Sequence, residues 1–332
     1  MKTRLLFGLF ATIVTLVLVL GGAALFALQR FERPGSLAAD ANLVVPRGAG
    51  LGVIAAQLEQ AGVIEDAFLF KLGVRLQGSA RNLKAGEYAF PAGVSMRGAF
   101  EILDRGETVV RQLTVAEGLT SAEVIAQVAA AEGLAGEAGP VPPEGSLLPE
   151  TYHYSWDDDR AALVARMRAS LEEALAELWP KRAEGLPVKT PEQAVILASI
   201  VEKETGVPEE RPLVASVFIN RLNRGMRLQS DPTVVYGLTN GQGPLGRALI
   251  FKDLEKPTPY NTYVIAGLPP GPIANPGRAA LEAVLNPAQT KYLYFVADGS
   301  GGHAFAKTLV EHNKNVAAWR KIQRAERKKT KQ

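Results

Sequence analysis

Residues 190–206 read Thr190-Pro191-Glu192-Gln193-Ala194-Val195-Ile196-Leu197-Ala198-Ser199-Ile200-Val201-Glu202-Lys203-Glu204-Thr205-Gly206. The run carries its own start and stop. Thr190 has the side chain of an N-cap, Pro191 suits the first helical position, and Gln193 stands where a capping box needs it. Gly206 and Pro208 close the segment. Leu197, Ile200 and Val201 recur at helical spacing, and Glu204 lies three to four residues further along that stripe. Glu202 and Lys203 fall off it. A carboxyl on an apolar face at a helix C-terminus meets two effects of one sign. Dehydration and the negative end of the helix dipole both disfavour its ionised form. A raised pKa is what a general acid needs near neutrality. Geometry alone leaves an alternative open: a structural carboxylate satisfied by Arg211, Arg221 or Arg224 from the next helix.

Outward from this helix the chain shows distinct segments. Leu5 to Leu28 is uncharged and apolar apart from Thr12 and Thr15. That length spans a bilayer core, and it is long for a cleaved signal peptide, so a transmembrane helix over 5–28 is expected. Lys2 and Arg4 precede it and Arg30 and Arg33 come after it, so charge does not fix its direction. The short leading segment suits a cytoplasmic N-terminus over 1–4, with the rest exported across a cell inner membrane.

Residues 29–41, broken by Pro34-Gly35-Ser36, read as a linker. Over 42–115 short strands bracket short helices: a strand at Asn42 to Pro46, helical spacing at Leu51, Ile54 and Leu58, an apolar helix at 67–76, a strand at 86–90, and a helix capped by Ser95. This pattern resembles a LysM-like glycan-binding module, and a plain spacer would share it. Thr120-Ser121-Ala122-Glu123 opens a helix as a capping box, residues 133–146 form a Gly/Pro loop, and a long helix starts at Asp159. The fold class expected is α+β.

The bulk numbers exclude some chemistries. The 332 residues hold no cysteine, which removes thiol nucleophiles, disulfides and Cys-ligated metals. His153, His303 and His312 lack metal-site spacing, so no metal is expected. No lysine sits in a convincing cofactor context, so no cofactor is expected either. The net charge of +3 hides an asymmetry: residues 320–332 hold seven Lys and Arg against Glu326, a net +6, and residues 1–319 sum to −3. A nucleic-acid-binding body is therefore not supported. The basic tail reads as a solvated helix end or a contact for anionic polymer or lipid.

Three further segments offer polar groups. Gln229-Ser230-Asp231, before Pro232, is a stiff exposed turn suited to sugar hydroxyls, or a turn whose Asp only caps the next segment. Tyr260-Asn261-Thr262-Tyr263 sets an amide between aromatics, fit for stacking on sugars or for packing. His303 comes after the hairpin turn Asp298-Gly299-Ser300-Gly301-Gly302 and is a candidate to contact substrate, to orient Asn313, or to serve structure alone.

Ser199 to Thr205 resembles the signature of soluble lytic transglycosylases and goose-type lysozymes, in which a helix ends in Glu-Ser and carries the catalytic acid. Glu204-Thr205 matches that pair. The series Val214 to Leu222, Gly225 to Val234, Tyr260 to Tyr263, Gly267 to Ile273, Tyr292 to Val296 and Gly302 to Phe305 resembles the YceG-like family of endolytic murein transglycosylases. The resemblance implies a catalytic domain over 116–319 with a lysozyme/transglycosylase-like active-site helix. It implies Glu204 as the catalytic residue, with substrate contacts at Gln229, Asp231, Tyr260, Asn261, Thr262 and His303. It implies peptidoglycan glycan strands as substrate and peptidoglycan synthases as possible partners. The alternatives are a hydrolytic muramidase pairing Glu204 with Asp231 or Glu202, and a non-catalytic peptidoglycan-binding scaffold.

Overall fold

A computed structural model describes residues 2–78 and 83–329 of the chain; the last residues of the basic tail, 330–332, lie outside them. The first helix, α1 (Lys2–Glu32), is long and apolar enough to cross a membrane over Leu6–Glu32. It continues into the stretch read from sequence as a linker. Phe31 explains why: its ring is buried in the core of the next module, and a Cβ on Gly73 would run into it. Arg33 bonds Glu65, and Arg97 reaches Glu32 at 2.8 Å. The helix break at Pro34 lies just beyond.

The chain divides into two units, one of residues up to 111 with 154–157, the other of residues 112–153 and from 158 onward. The first unit contains β1 (Ala41–Val45), α2 (Leu51–Gln60), α3 (Ala67–Leu76), β2 (Gly86–Phe90) and α4 (Met96–Arg105). β1 and β2 pair antiparallel, Ala41 opposite Phe90 and Val45 opposite Gly86, with α2 and α3 between them in sequence. Ile54, Leu58, Phe70, Val74, Tyr88, Phe90 and Leu103 fill the core. Asp66 caps α3 and Ser95 caps α4.

β3 (Val110–Thr114) pairs with β4 (Thr151–Ser155). The second unit is mainly helical: α5 (Ser121–Ala130), α6 (Arg160–Leu178), α7 (Pro191–Glu204), α8 (Arg211–Asn223), α9 (Asp231–Thr239), α10 (Phe251–Leu254), α11 (Arg278–Leu285) and α12 (Leu309–Lys329). The hairpin of β5 (Tyr294–Ala297) and β6 (His303–Ala306) completes it. The molecule is thus a mixed helix and sheet protein with an apolar N-terminal helix.

α7 is the centre of the second unit. Thr190 accepts the Gln193 N–H at 3.3 Å, as a cap should. The Gln193 amide oxygen turns instead to the Lys189 N–H at 2.7 Å, so the expected reciprocal box is shifted by one residue. Ala194, Val195, Leu197, Ala198, Ser199, Ile200 and Val201 are all buried, because α8 and α11 both pack on this helix. A helix that is apolar most of the way round is an interior helix. This corrects one expectation: Glu202, read as lying off the buried stripe, has a side chain only 4% exposed.

Candidate active site

Glu204 is the last residue of α7, and the residues after it fix where it points. Thr205 is extended and buried. Its hydroxyl accepts the Val207 N–H at 3.1 Å and donates to Glu210 at 3.2 Å. Glu210 in turn accepts the backbone N–H of His303 and meets its Nδ1, each at 2.7 Å. The Glu-Thr pair thus divides two tasks: the Thr ties the helix end to β6, and the Glu faces a cleft. His303 is held by Glu210, not engaged in orienting Asn313, which is exposed on α12.

The turn between α8 and α9 supplies the partner. Gln229 sits at φ 52°, the left-handed region, which costs a non-glycine residue conformational energy. Its N–H bonds the Thr262 carbonyl at 3.1 Å. Ser230 is buried; its N–H bonds Thr262 Oγ1 at 2.9 Å, and its hydroxyl donates to Glu204 Oε1 at 2.5 Å. Thr233 donates to the Ser230 carbonyl at 2.6 Å and lies 2.8 Å from Thr262 Oγ1. The strained turn therefore holds one hydroxyl against one carboxyl.

Among the described residues Glu204 has no ion pair. Arg221, the structural partner that sequence left open, is buried and directs its guanidinium at the carbonyls of Leu293 (2.6 Å) and Leu228 (2.7 Å). Arg211 pairs with Glu202 (3.2 Å) and Glu117 (2.7 Å). Burial pushes the Glu204 carboxyl up to about 7; the charge of Asp231 adds to this, while the Ser230 hydroxyl, His303 and Arg221 oppose it. Such a group holds or releases a proton near neutral pH.

Glu204 opens on a cleft of about 460 Å³ lined also by Arg221, Asp231, Tyr263, Tyr294 and His312. A second cleft, about 550 Å³, runs past Lys203, Tyr236 and Arg247, and Asp231 lines both. Asp231 opens α9 and accepts the Tyr263 hydroxyl at 2.6 Å. Burial first, and Asp231 next, hold that phenol well above its usual range.

The other residues singled out from sequence separate into two groups. Gln229 lines the Glu204 cleft. Tyr260 packs on Tyr236, ring centroids 4.7 Å apart. Asn261 and Thr262 are fully buried. The Asn261 amide donates to the carbonyls of Leu254 and Lys256 and accepts the Tyr263 N–H. Its hydrogen-bonding capacity is used within the loop. Thr262 supports Ser230. Ser230 and Tyr263 lie within the two polar segments that sequence singles out without being named there as site residues, and Arg221 enters there only as a structural partner of Glu204. Among the described residues no cluster of His, Asp and Glu is placed to hold a metal.

The chain belongs to the YceG-like family, whose model matches residues 43–318. It is 31% identical over 331 aligned residues to the endolytic murein transglycosylase of Bacillus subtilis (strain 168), with 90% of each chain covered. It is 29% identical over 322 residues to the endolytic murein transglycosylase of Streptococcus pneumoniae serotype 2 (strain D39), covering 82% of this chain and 57% of that longer protein. The crystal structure of a yceG-like protein from Listeria monocytogenes superposes with a TM-score of 0.51 at 30% identity, covering 83% of this chain and 98% of the other.

Proposed function

We propose that this protein is a membrane-anchored endolytic lytic transglycosylase that cuts peptidoglycan glycan strands, with Glu204 as its acid and base. The observation that carries the proposal is the state of Glu204: a carboxyl without an ion pair among the described residues, raised to about 7, touched by the Ser230 hydroxyl and open to a cleft. The curated relatives are named for the same activity.

In the proposed reaction, protonated Glu204 gives its proton to the oxygen of the β-1,4 bond between N-acetylmuramic acid and N-acetylglucosamine as the C1–O bond breaks. The resulting carboxylate takes the proton of the muramyl C6 hydroxyl, whose oxygen bonds to C1. The products are a free N-acetylglucosamine 4-hydroxyl and a 1,6-anhydro muramyl end. Glu204 finishes protonated, so one carboxyl suffices, unlike the two-carboxyl glycosidases. Ser230 stabilises the carboxylate stage and Asp231 disfavours it. Two clefts that share Asp231 suit a strand held at an internal bond. Cutting nascent strands would terminate their growth and place the enzyme near peptidoglycan synthases.

The β1-α2-α3-β2 order supports reading 42–115 as a LysM-like module, and Glu204 with its cleft supports reading 116–319 as the catalytic domain. α1 supports a single-pass anchor in the inner membrane, with the remainder extracytoplasmic. Mass spectrometry of products released from isolated sacculi tests the reaction: anhydro-muramyl ends are expected, and their loss in Glu204→Gln. A hydrolytic muramidase is the second reading, favoured by Asp231 lining the same cleft; reducing muramyl ends would establish it. Equal, negligible release by wild type and Glu204→Gln would leave a binding scaffold.

A further inference from the structure

The first unit exposes apolar side chains where a soluble module would not. On α3, Phe68, Leu72 and Leu76 are 69%, 41% and 80% exposed. They recur every four residues and form one face, while Phe70 and Val74 on the opposite face are buried in the core. Lys71 and Arg75 flank the exposed stripe. An amphipathic helix with an apolar outer face and basic flanks is the form that lies in a bilayer interface.

What covers this face is indicated by its neighbour. Leu69, Leu72, Gly73 and Leu76 line an apolar hollow of about 450 Å³ whose other wall is Ala24, Ala27, Leu28 and Phe31 of α1. Ala24 to Leu28 belong to the apolar membrane-length run. At 1.5 Å per residue, Ala24 lies about 10 Å along the axis from Phe31, inside the span. The α3 surface is therefore continuous with the lipid-facing surface of α1. Phe31 against Gly73 and the Arg33–Glu65 pair hold α1 beside α3, and the Arg97–Glu32 pair ties α1 to α4.

We propose that α3 is a second membrane contact, with Phe68, Leu72 and Leu76 entering the acyl boundary of the leaflet from which the module emerges, and Lys71 and Arg75 reaching anionic headgroups. The apolar hollow beside α1 is then filled by lipid chain. The module does not swing on a tether but rests on the bilayer in one orientation. This rests on reading α1 as membrane-spanning.

The absence of cysteine makes the test direct. Full-length variants Val17→Cys, Leu72→Cys, Leu76→Cys and Val53→Cys are labelled with an environment-sensitive fluorophore. They are reconstituted in phosphatidylethanolamine–phosphatidylglycerol vesicles with and without quencher-bearing lipids. Val53, 52% exposed on α2 and not among the residues lining the hollow, serves as the aqueous control. The expected result is deep-lipid quenching at 17, shallow-lipid quenching at both 72 and 76, and none at 53. Quenching at 17 without quenching at 72 and 76 overturns the proposal while keeping the anchor. A blue-shifted but unquenched label at 72 and 76 overturns it in favour of protein covering that face. An unquenched label at 17 removes the anchor and the proposal with it.

Discussion

Glu202 and Glu204 leave the same turn of α7 and meet opposite surroundings. Glu202 turns inward, where Arg211 pairs with it at 3.2 Å and the Gly277 N–H donates at 2.9 Å. Arg211 also holds Glu117 on the loop before α5, so this side of the turn fastens three segments. Burial pushes the Glu202 carboxyl up, yet an arginine and a backbone donor restrain it. Glu204 turns toward the cleft, where its one close partner is a neutral hydroxyl. The buried cation nearby, Arg221, is occupied by backbone carbonyls. Burial alone therefore does not separate the proposed acid from its neighbour. Both glutamates are dehydrated; among the described residues Glu202 is ion-paired and Glu204 is not, and Glu204 lines a cleft.

Substitution at either glutamate tests that contrast. Glu204→Gln keeps the shape and removes the proton. General acid–base groups contribute roughly 10²–10⁴-fold, so release of glycan fragments from sacculi should fall by about that factor with the fold intact by circular dichroism. Glu202→Gln should do the reverse. It leaves Arg211 buried with only Glu117, and breaking a buried pair commonly costs about 3 kcal/mol or more; the retained second partner argues for about 2. A lower thermal midpoint, with activity per folded molecule little changed, is the expected result. Lost turnover in a Glu202→Gln protein that melts like wild type would mean the roles had been assigned to the wrong glutamate.

How much of this was legible beforehand depends on the range of the interactions. The cap at Thr190, the Thr120–Glu123 box, the Asp159 cap of α6 and the glycine turn between β5 and β6 are local, and their residue types announce them. Spacing puts Glu204 on the buried stripe; a catalytic role for it is what the resemblance of Glu204-Thr205 and the flanking motifs implies. The side chains around it arrive from far along the chain: Ser230 lies 26 residues away and the Tyr263–Asp231 bond joins residues 32 apart. No periodicity carries such pairings. The stripe argument also misjudged Glu202, since an amphipathic pattern presumes one wet face and α7 has little. The surroundings of Asn261 are hidden from sequence for a related reason. A buried amide that closes a loop and an exposed amide that binds a sugar look alike in sequence, and only the carbonyls of Leu254 and Lys256 tell them apart.

Two smaller effects concern Glu204 itself. It has a folded pKa raised from 4.5 to about 7, so its ionisation opposes folding. The stability it contributes is full below about pH 4.5 and is lost as pH rises through about 7. Wild type and Glu204→Gln should therefore melt together at pH 4. At pH 9 the variant should be the more stable, by about 1–2 kcal/mol once partial exposure is allowed for. Melting curves that stay parallel across that range would show that the carboxyl is well hydrated after all. Ser230→Ala probes the same carboxyl through its one hydroxyl. That hydrogen bond favours the ionised form, so its loss should move the alkaline limb of the activity profile upward by less than about one pH unit, near 1 kcal/mol. The direction is the informative part. An upward move means the hydroxyl donates to a carboxylate during turnover. A downward move would mean Ser230 accepts from the protonated acid and lowers its readiness to give the proton away.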